Sequence, residues 1–370
     1  MGCVFDCVKL GRNNMSHFTV MVKILNEKVK QLSLLTLVRD GESIGFTEAV
    51  AEALAPYQEN NMNNCPPQFL KFEDVEDDCY NKWQTEEHEM VELPDGQFVW
   101  PWDECFRVSG FGFGTNTHKV PDDYKRVMVP SRVRYSTFEQ YMEDYHGYKQ
   151  RDPKTGRYGC WENPNRKWDW YQVGGRWTGQ LLLKEEAIIN RRGRRGEPSK
   201  VVNSLNPEAV NRDPHMADVA MFEDIDFRSM DKAVDDEIEE FYKKVERLRK
   251  LESKKRLTKD EKKEKVELDF GARSVLWDIG LVNKDEQGQA TSIKDFSVED
   301  LKRDHRHVWE FHSFAVVDEQ GQWHEKGEMG WFGCHSGDEK SVINWGLSFK
   351  QRFLSDVKPD TWIVMVDCHI

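Results

Sequence analysis

The chain has 370 residues, of which 38% are hydrophobic and 32% charged, and its formal net charge is -13 at pH 7. No stretch approaches the roughly 18 consecutive apolar residues of a membrane span, and no secretory signal is present, so we expect a globular cytoplasmic protein without membrane contact. The eight cysteines contain no CxxC pair, which indicates free thiols rather than a zinc ribbon or a disulfide framework.

The first and last predicted elements are strands. Residues 1–14 are expected to be a peripheral leader, and His17 to Ile24 has the apolar pattern of a strand. Thr361 to Val366 has the same character, and terminal strands of this kind often pair. We therefore predict an α+β fold in which a mixed or antiparallel sheet with paired terminal strands is flanked by helices.

The negative charge is concentrated in one region of the chain. Residues 36–104 hold 17 Asp and Glu against 3 Lys and Arg. Clustered carboxylates can occupy a basic surface in place of DNA or RNA. One hypothesis for this region is therefore an acidic inhibitor of a nuclease or polymerase, which would bind through Glu73, Asp74, Glu76, Asp77 and Asp78.

Two hairpins are predicted from turn residues between apolar runs. The first spans Leu93 to Trp100, where Asp95 and Gly96 supply the turn. The second joins a strand at 311–317 to a shorter one at 322–325.

The segment Lys167 to Gly179 combines four aromatic rings with two adjacent glycines and an arginine. Aromatic rings can stack on a flat ligand, glycines let backbone N–H groups approach it, and arginine can bind a carboxylate or phosphate. A rigid strand followed by a turn would use the same residue types. The candidate ligand-binding residues in this segment are Trp168, Trp170, Tyr171, Gly174, Gly175, Arg176 and Trp177.

A basic, glycine-punctuated loop follows at residues 191–196. Residues 149–200 hold 13 basic against 6 acidic side chains. Such a loop is suited to phosphate or nucleic acid, and Arg194 and Arg195 are its candidate phosphate-binding residues. The alternatives are an exposed loop that aids solubility, or pairing with the acidic segment of the same chain.

The character of the sequence changes between residues 229 and 269. Apolar residues recur there at spacings of three and four, and Thr258 with Glu261 forms a capping box for a second helix. We predict a helical hairpin inserted into one domain, whose two parts are residues 15–228 and 270–370. A further helix is expected at 344–354. The apolar stripe of the hairpin consists of Val234, Ile238, Phe241, Val245, Leu248 and Leu251.

No standard catalytic motif is present. The glycines of residues 110–114 lack the spacing of a phosphate-binding loop, and both GxSxG and HExxH are absent. His305 and His307 would point to the same face if they lay on a strand, and with His312 they are weak candidate metal ligands. Glu328, in the glycine-rich stretch 325–333, is a weak candidate for acid–base catalysis. These residues support a third hypothesis, a metal-assisted enzyme that acts on nucleotides or nucleic acid.

Several segments together resemble a family of uncharacterised accessory proteins of tailed bacteriophages and prophages. The resemblance is carried by residues 17–22, 54–60, 167–179, 193–198, 217–226, 327–333 and 366–369, which include KWDWYxxGGRWTG, GRRGEP, GEMGWFG and VDCH. It implies an accessory protein made inside a bacterial host cell, and it brings no established activity, fold, cofactor or catalytic residue.

The leading prediction combines the aromatic segment, the basic loop and this setting. We expect a phage accessory protein, with a role in host takeover or against host defence, that binds or sequesters a nucleotide-like or phosphorylated ligand. The alternatives are an acidic inhibitor that binds a host nucleic-acid-processing or defence protein, and the metal-assisted enzyme.

Overall fold

A computed structural model describes most of the chain. The described residues are 17–35, 44–61, 63–108, 118–198, 214–278, 298–328 and 336–370. The predicted leader at 1–14, the glycines of 110–114 and residues 329–333 lie outside them. No helix of the described residues is long and apolar enough to cross a membrane.

The chain divides into two compact units. One is formed by Pro66–Pro164, and the other by the chain before and after it, Asn13–Cys65 and Asn165–Ile370. The sequence analysis did not distinguish the first unit from the domain predicted for residues 15–228 and 270–370.

Strands occur in both units. In chain order they are β1 His17–Ile24, β2 Lys71–Asp74, β3 Glu87–Glu92, β4 Phe98–Val99, β5 Lys125–Pro130, β6 Gln150–Arg151, β7 Tyr158–Glu162, β8 Trp170–Gly175, β9 Leu181–Leu182, β10 Glu197–Pro198, β11 Met216–Ala217, β12 Val219–Met221, β13 Ala315–Val317, β14 Trp323–Glu325 and β15 Trp362–His369.

Helices lie mainly in the second unit. In chain order they are α1 Asn26–Leu35, α2 Ile44–Leu54, α3 Glu76–Thr85, α4 Ser131–Arg134, α5 Phe138–Gln140, α6 Glu185–Ile189, α7 Phe227–Glu252, α8 Lys259–Asp278, α9 Val298–Trp309 and α10 Glu339–Phe353.

The main sheet of the second unit is mixed, in the order β10-β8-β15-β1-β13-β14, with β12 also paired to β15. The predicted pairing of the terminal strands is confirmed, because β1 and β15 run antiparallel from His17 opposite His369 to Ile24 opposite Trp362. β1 pairs with β13 in parallel. The chain is therefore an α+β protein, as predicted.

The two faces of this sheet bury different cores. Phe18, Val20 and Val22 of β1 point to one side, where α2 covers them, and Met21 points to the other. Trp345, Phe349 and Phe353 of α10 pack on the Met21 side. The spacing of four between these rings was the reason to expect a helix here, and the packing confirms it.

The predicted helical hairpin is formed by α7 and α8. Thr258 Oγ1 accepts a hydrogen bond from the Glu261 backbone N–H at 3.2 Å, and a Glu261 carboxylate oxygen accepts from the Thr258 N–H at 3.0 Å, so the capping box is present. The predicted stripe is buried except at Phe241, which is half-buried. Tyr242 takes its place in the buried row, because a longer helix follows its period of 3.6 residues rather than a fixed spacing.

The first unit contains small sheets and an aromatic core. β3 pairs with β4 and β5, and Gly96 has a φ of 83° in the predicted turn before β4.

The second predicted hairpin, β13 with β14, lies in the other unit, but its first strand begins at Ala315 rather than residue 311. Pairing with β1 starts at the same residue.

Candidate functional site

The second unit carries a group of polar side chains where β1, β15 and β8 meet at one end of the sheet. His17 stands opposite His369, and His369 stands opposite Trp170 on the other side. Because the side chains of directly paired residues project from the same face, the three rings lie together. The imidazole centroids are 4.8 Å apart, and the Trp170 ring is 6.2 Å from His17 and 6.3 Å from His369.

Each of the two imidazoles is held by a carboxylate. His17 Nδ1 lies 2.8 Å from Asp367 Oδ1, and His369 Nδ1 lies 2.5 Å from Asp169 Oδ1. Since a carboxylate accepts, each imidazole donates from Nδ1, which fixes its tautomer and orientation. Neither Nε2 atom has a hydrogen-bond partner among the described residues. The pair is therefore arranged to offer Nε2 to another molecule.

Asp367 also positions the turn that follows β8. Its side chain is fully buried, and Oδ2 accepts a hydrogen bond from the Arg176 backbone N–H at 2.8 Å. The Arg176 side chain is exposed, and its guanidinium makes no hydrogen bond or ion pair with any residue that the structure describes. One carboxylate thus joins a histidine and the backbone of an arginine whose charge is free. We refer to His17, Asp169, Trp170, Arg176, Asp367 and His369 as the strand-end cluster.

The two glycines of the aromatic segment serve this turn. Gly174 and Gly175 have φ values of 82° and 57°, in the left-handed region that favours glycine. A Cβ at Gly175 would lie 2.3 Å from the Asp367 side chain, and one at Gly174 would lie 2.9 Å from Asp218 Oδ2. The structure therefore gives the glycines a role different from the one predicted: they let the chain wrap closely around two buried carboxylates of its own.

The aromatic residues of this segment are divided between core and surface. Trp168 is 5% exposed and donates from Nε1 to the Leu54 carbonyl oxygen at 3.1 Å. Tyr171 packs against the same core, where burial raises the pKa of its phenol. Both were predicted to contact ligand, and both instead anchor β8 to the sheet. Trp170 and Trp177 are 46% and 37% exposed, so their rings remain accessible.

Asp218 organises the connection between the turn after β8 and the basic loop. It is buried, and its oxygens accept from Thr178 Oγ1 at 2.8 Å, the Gly179 N–H at 2.5 Å and the Gly196 N–H at 2.8 Å. Charge-assisted hydrogen bonds of this kind are strong. Asp218 is thus occupied by the chain itself and is not available to a ligand.

The basic loop does not present both of its candidate arginines in the same way. Arg194 is exposed, and its backbone forms a bridge with Val219. The terminal nitrogens of Arg195 are buried and have no hydrogen-bond partner among the described residues, and they lie over Gly179. Arg192 is paired at 2.5 Å with the buried Asp224. Of the two candidate arginines, Arg194 is therefore the accessible one.

The weak metal candidates do not share one strand. His305 and His307 lie on helix α9, so the condition under which they would share a face, a strand at these residues, is not met. His307 is buried, and burial lowers the pKa of His312 to about 4. Among the described residues, no three His, Cys, Asp or Glu side chains converge as metal ligands. Glu328 is exposed, and its backbone N–H donates to Ser336 Oγ.

Part of the acidic region is neutralised within the first unit. Arg157 pairs with Asp74 at 2.5 Å and with Asp77 at 2.9 Å, which lowers the pKa of Asp74. Arg126 and Lys125 pair with Glu89 and Glu92 across the sheet. Arg157, from the basic stretch 149–200, thus pairs with the acidic segment. The pairing considered for the basic loop itself is not the one that Arg192 makes, because its partner Asp224 lies outside residues 36–104.

The strand-end cluster was not predicted from the sequence, although a signal for it existed. His17 and His369 stand at the outer ends of the two strands predicted to pair, so extending the antiparallel register by three residues beyond Val366 brings them face to face. The paired carboxylates gave no such signal, because Asp367 and Asp169 lie in apolar and aromatic runs respectively.

The protein is of the α+β class and carries a histidine–carboxylate cluster at one end of the strands of its main sheet. No family model, curated protein or solved structure matches it.

Proposed function

We propose that the protein binds a phosphorylated, nucleotide-like molecule at the strand-end cluster. The observation that supports this best is that an accessible indole, Trp170, packs against two imidazoles whose Nε2 atoms have no partner among the described residues. The exposed Arg176 is tied to the same cluster through its backbone N–H, which donates to Asp367. A flat aromatic face can stack on a nucleobase, and a fixed positive charge together with an imidazole Nε2 that donates once the ring is protonated can bind a phosphate.

Trp170 would provide the stacking surface. About half of its side chain is exposed, at the first position of β8 and opposite His369 at the end of β15. An exposed ring gives up the stabilisation that its burial would contribute to the fold. The neighbouring Trp168, by contrast, is buried in the core. Stacking of a base on an aromatic side chain is worth about 1–3 kcal/mol.

Arg176 and the imidazoles would hold the phosphate. The two carboxylates of the cluster repel an anion, but Asp367 is buried and both carboxylates are turned toward Nδ1 of a histidine. A phosphate would therefore meet the guanidinium and the Nε2 edges first. Arg194 is a further accessible cation of the original prediction, whereas Arg195, Gly174, Gly175, Trp168 and Tyr171 are not part of the revised site.

In the setting that the sequence resemblance implies, such a protein would sequester a nucleotide-like molecule inside a bacterial host during phage infection. The acidic-inhibitor hypothesis has less support, because Arg157, Arg126 and Lys125 already pair with carboxylates of the acidic unit.

Isothermal titration calorimetry with the four nucleoside 5′-monophosphates, their parent nucleosides and inorganic phosphate tests the proposal. Trp170→Ala should weaken nucleotide binding by about 5- to 100-fold, in line with the loss of one stacked base. Arg176→Ala should weaken binding of the monophosphates by about 10-fold or more, and binding of the nucleosides much less.

Two matched controls separate the site from general surface effects. Trp102 is 61% exposed and Arg132 is exposed, and both lie in the other compact unit. Trp102→Ala and Arg132→Ala should leave binding unchanged. If wild-type protein binds none of these ligands, or if the control variants lose affinity as much as the site variants, the proposal is wrong.

A further inference from the structure

We infer that the strand-end cluster hydrolyses a phosphodiester in its ligand, with His17 and His369 as a general acid and general base. This inference rests on the proposed function for its substrate class. It is carried by the geometry of the two imidazoles, which are held by separate carboxylates with their rings 4.8 Å apart.

Both imidazoles are oriented by the carboxylate on Nδ1. A carboxylate on Nδ1 leaves Nε2 as the atom that exchanges a proton with a substrate, and it stabilises the imidazolium that forms. A structural histidine needs one such bond at most. Here two histidines face each other across paired strands, and the partners on Nδ1 are different carboxylates, Asp367 and Asp169.

Each of the two carboxylates is itself held by a further hydrogen bond. Asp367 Oδ2 is held by the Arg176 N–H at 2.8 Å, and Asp169 Oδ2 accepts from the Asn61 side chain at 3.2 Å. Each histidine–carboxylate pair, or dyad, is thus held by a second donor to its carboxylate. This fixed geometry lowers the cost of reorganisation during proton transfer. Two independently supported dyads at one site are more than packing requires.

The reaction balances with water as the second reactant. The neutral imidazole accepts a proton from water through Nε2 while the water oxygen forms a bond to phosphorus. The bond between phosphorus and the leaving oxygen breaks, and the protonated imidazole donates its Nε2 proton to that oxygen. The products are a phosphomonoester and an alcohol, and proton exchange with solvent restores the two imidazoles. Arg176 would neutralise the charge of the phosphoryl oxygens.

Two probes that differ in the leaving group test whether one imidazole acts as the general base and the other as the general acid. In thymidylyl-thymidine the leaving group is an alkoxide that needs a proton, whereas in thymidine 5′-(p-nitrophenyl phosphate) it is a phenolate that leaves without one. Neither probe carries a 2′-hydroxyl, so water is the nucleophile. The full-length protein is assayed with both, with and without EDTA, and binding is measured separately by calorimetry.

His17→Asn and His369→Asn are the informative variants, because the asparagine amide still donates to the carboxylate while the Nε2 atom is lost. The variant that removes the base should lower turnover of both probes by at least about 100-fold. The variant that removes the acid should do so for thymidylyl-thymidine but leave the p-nitrophenyl ester within a few-fold of wild type. A purely structural role would not produce this split.

The outcomes are separable from those of the proposed function. If wild type binds the probes but cleaves neither, if EDTA abolishes cleavage, or if both variants lower both rates equally while remaining folded, the catalytic inference fails and the binding proposal stands. If no probe is bound, the proposed function itself fails. Should either variant not fold, the wild-type rates for a series of aryl esters decide the question, because acid catalysis predicts a weak dependence on the acidity of the leaving phenol and its absence a steep one.

Discussion

His17 and Asp367 are separated by 350 positions in the sequence, and a hydrogen bond of 2.8 Å joins Nδ1 of one to Oδ1 of the other. The bond forms because the antiparallel register of β1 and β15 places Thr19 opposite Asp367 and His17 two residues away on the same face. The same carboxylate accepts from the Arg176 backbone. A single buried carboxylate therefore joins the first and last strands of the main sheet to the turn after β8.

This coupling predicts that Gly175→Ala is strongly destabilising. The substitution strains a backbone at φ 57° and drives a Cβ to 2.3 Å from Asp367, and we expect a loss of about 3 kcal/mol in the free energy of unfolding. Urea unfolding measures it. Gly321→Ala is the matched control in the same unit, because its φ is 78° but no atom lies within 4 Å, so only the strain of about 1 kcal/mol remains. Equal losses would show that Asp367 does not crowd this position.

The two neighbouring tryptophans Trp168 and Trp170 should respond oppositely to truncation. Trp168→Ala removes a ring that is 5% exposed and bonded to Leu54, and we expect a loss of about 3–5 kcal/mol in stability. Trp170→Ala removes a ring that is 46% exposed, so the loss should be below about 1 kcal/mol. Urea denaturation of both variants checks this, and a large loss for Trp170→Ala would mean that its ring serves packing rather than a ligand.

Asp218→Ala should destabilise the turns on either side of the basic loop. The change leaves the donors of Thr178, Gly179 and Gly196 without their buried acceptor, and we expect a cost of about 4 kcal/mol. Asp356→Ala, at an exposed carboxylate, should cost less than about 1 kcal/mol. Equilibrium unfolding of the two variants gives the comparison, and similar costs would contradict the role assigned to Asp218.

The sequence was sufficient for the parts of the fold that depend on local patterns. The apolar run of β1, the helical spacing of α10 and the capping box before α8 each involve residues within one turn or one strand of each other. Phe241 and its neighbour Tyr242 are both aromatic and both lie within one position of the stripe, so spacings of three and four could not decide which of the two is buried. The sequence left open whether His305 and His307 lie on a strand, because a short polar run fits either a strand or a helix.

The candidate site was only partly predictable because its contacts are not local. Trp170 and Arg176 were identified by composition alone, but the same composition also selected Trp168 and Tyr171, and only the sheet register determines which rings face the core. The roles of Gly174 and Gly175 depend on Asp218 and Asp367, which are distant in the chain. Buried polar partners leave no periodic signal, so Asp367 could be found only after the register of β1 and β15 was known.

The pH dependence of stability should carry the signature of His312. Burial lowers the pKa of this imidazole from 6.5 to about 4, although its Nδ1 donates to the Glu310 carbonyl oxygen. Between these values the unfolded chain binds a proton that the folded protein does not, so stability falls as the pH drops through this window and levels off below pH ~4. The full effect is about 3 kcal/mol.

Urea unfolding of wild type and His312→Asn between pH 7.5 and 4.5 measures this contribution. Asparagine keeps a donor for the Glu310 carbonyl but does not titrate, so the variant should lose less stability on acidification, and the difference from wild type removes the effect of the carboxylates that titrate in both. His215→Asn, at a histidine whose side chain is 48% exposed, should retain the wild-type pH dependence. Parallel curves for wild type and His312→Asn would show that the imidazole is accessible to protons in the folded state.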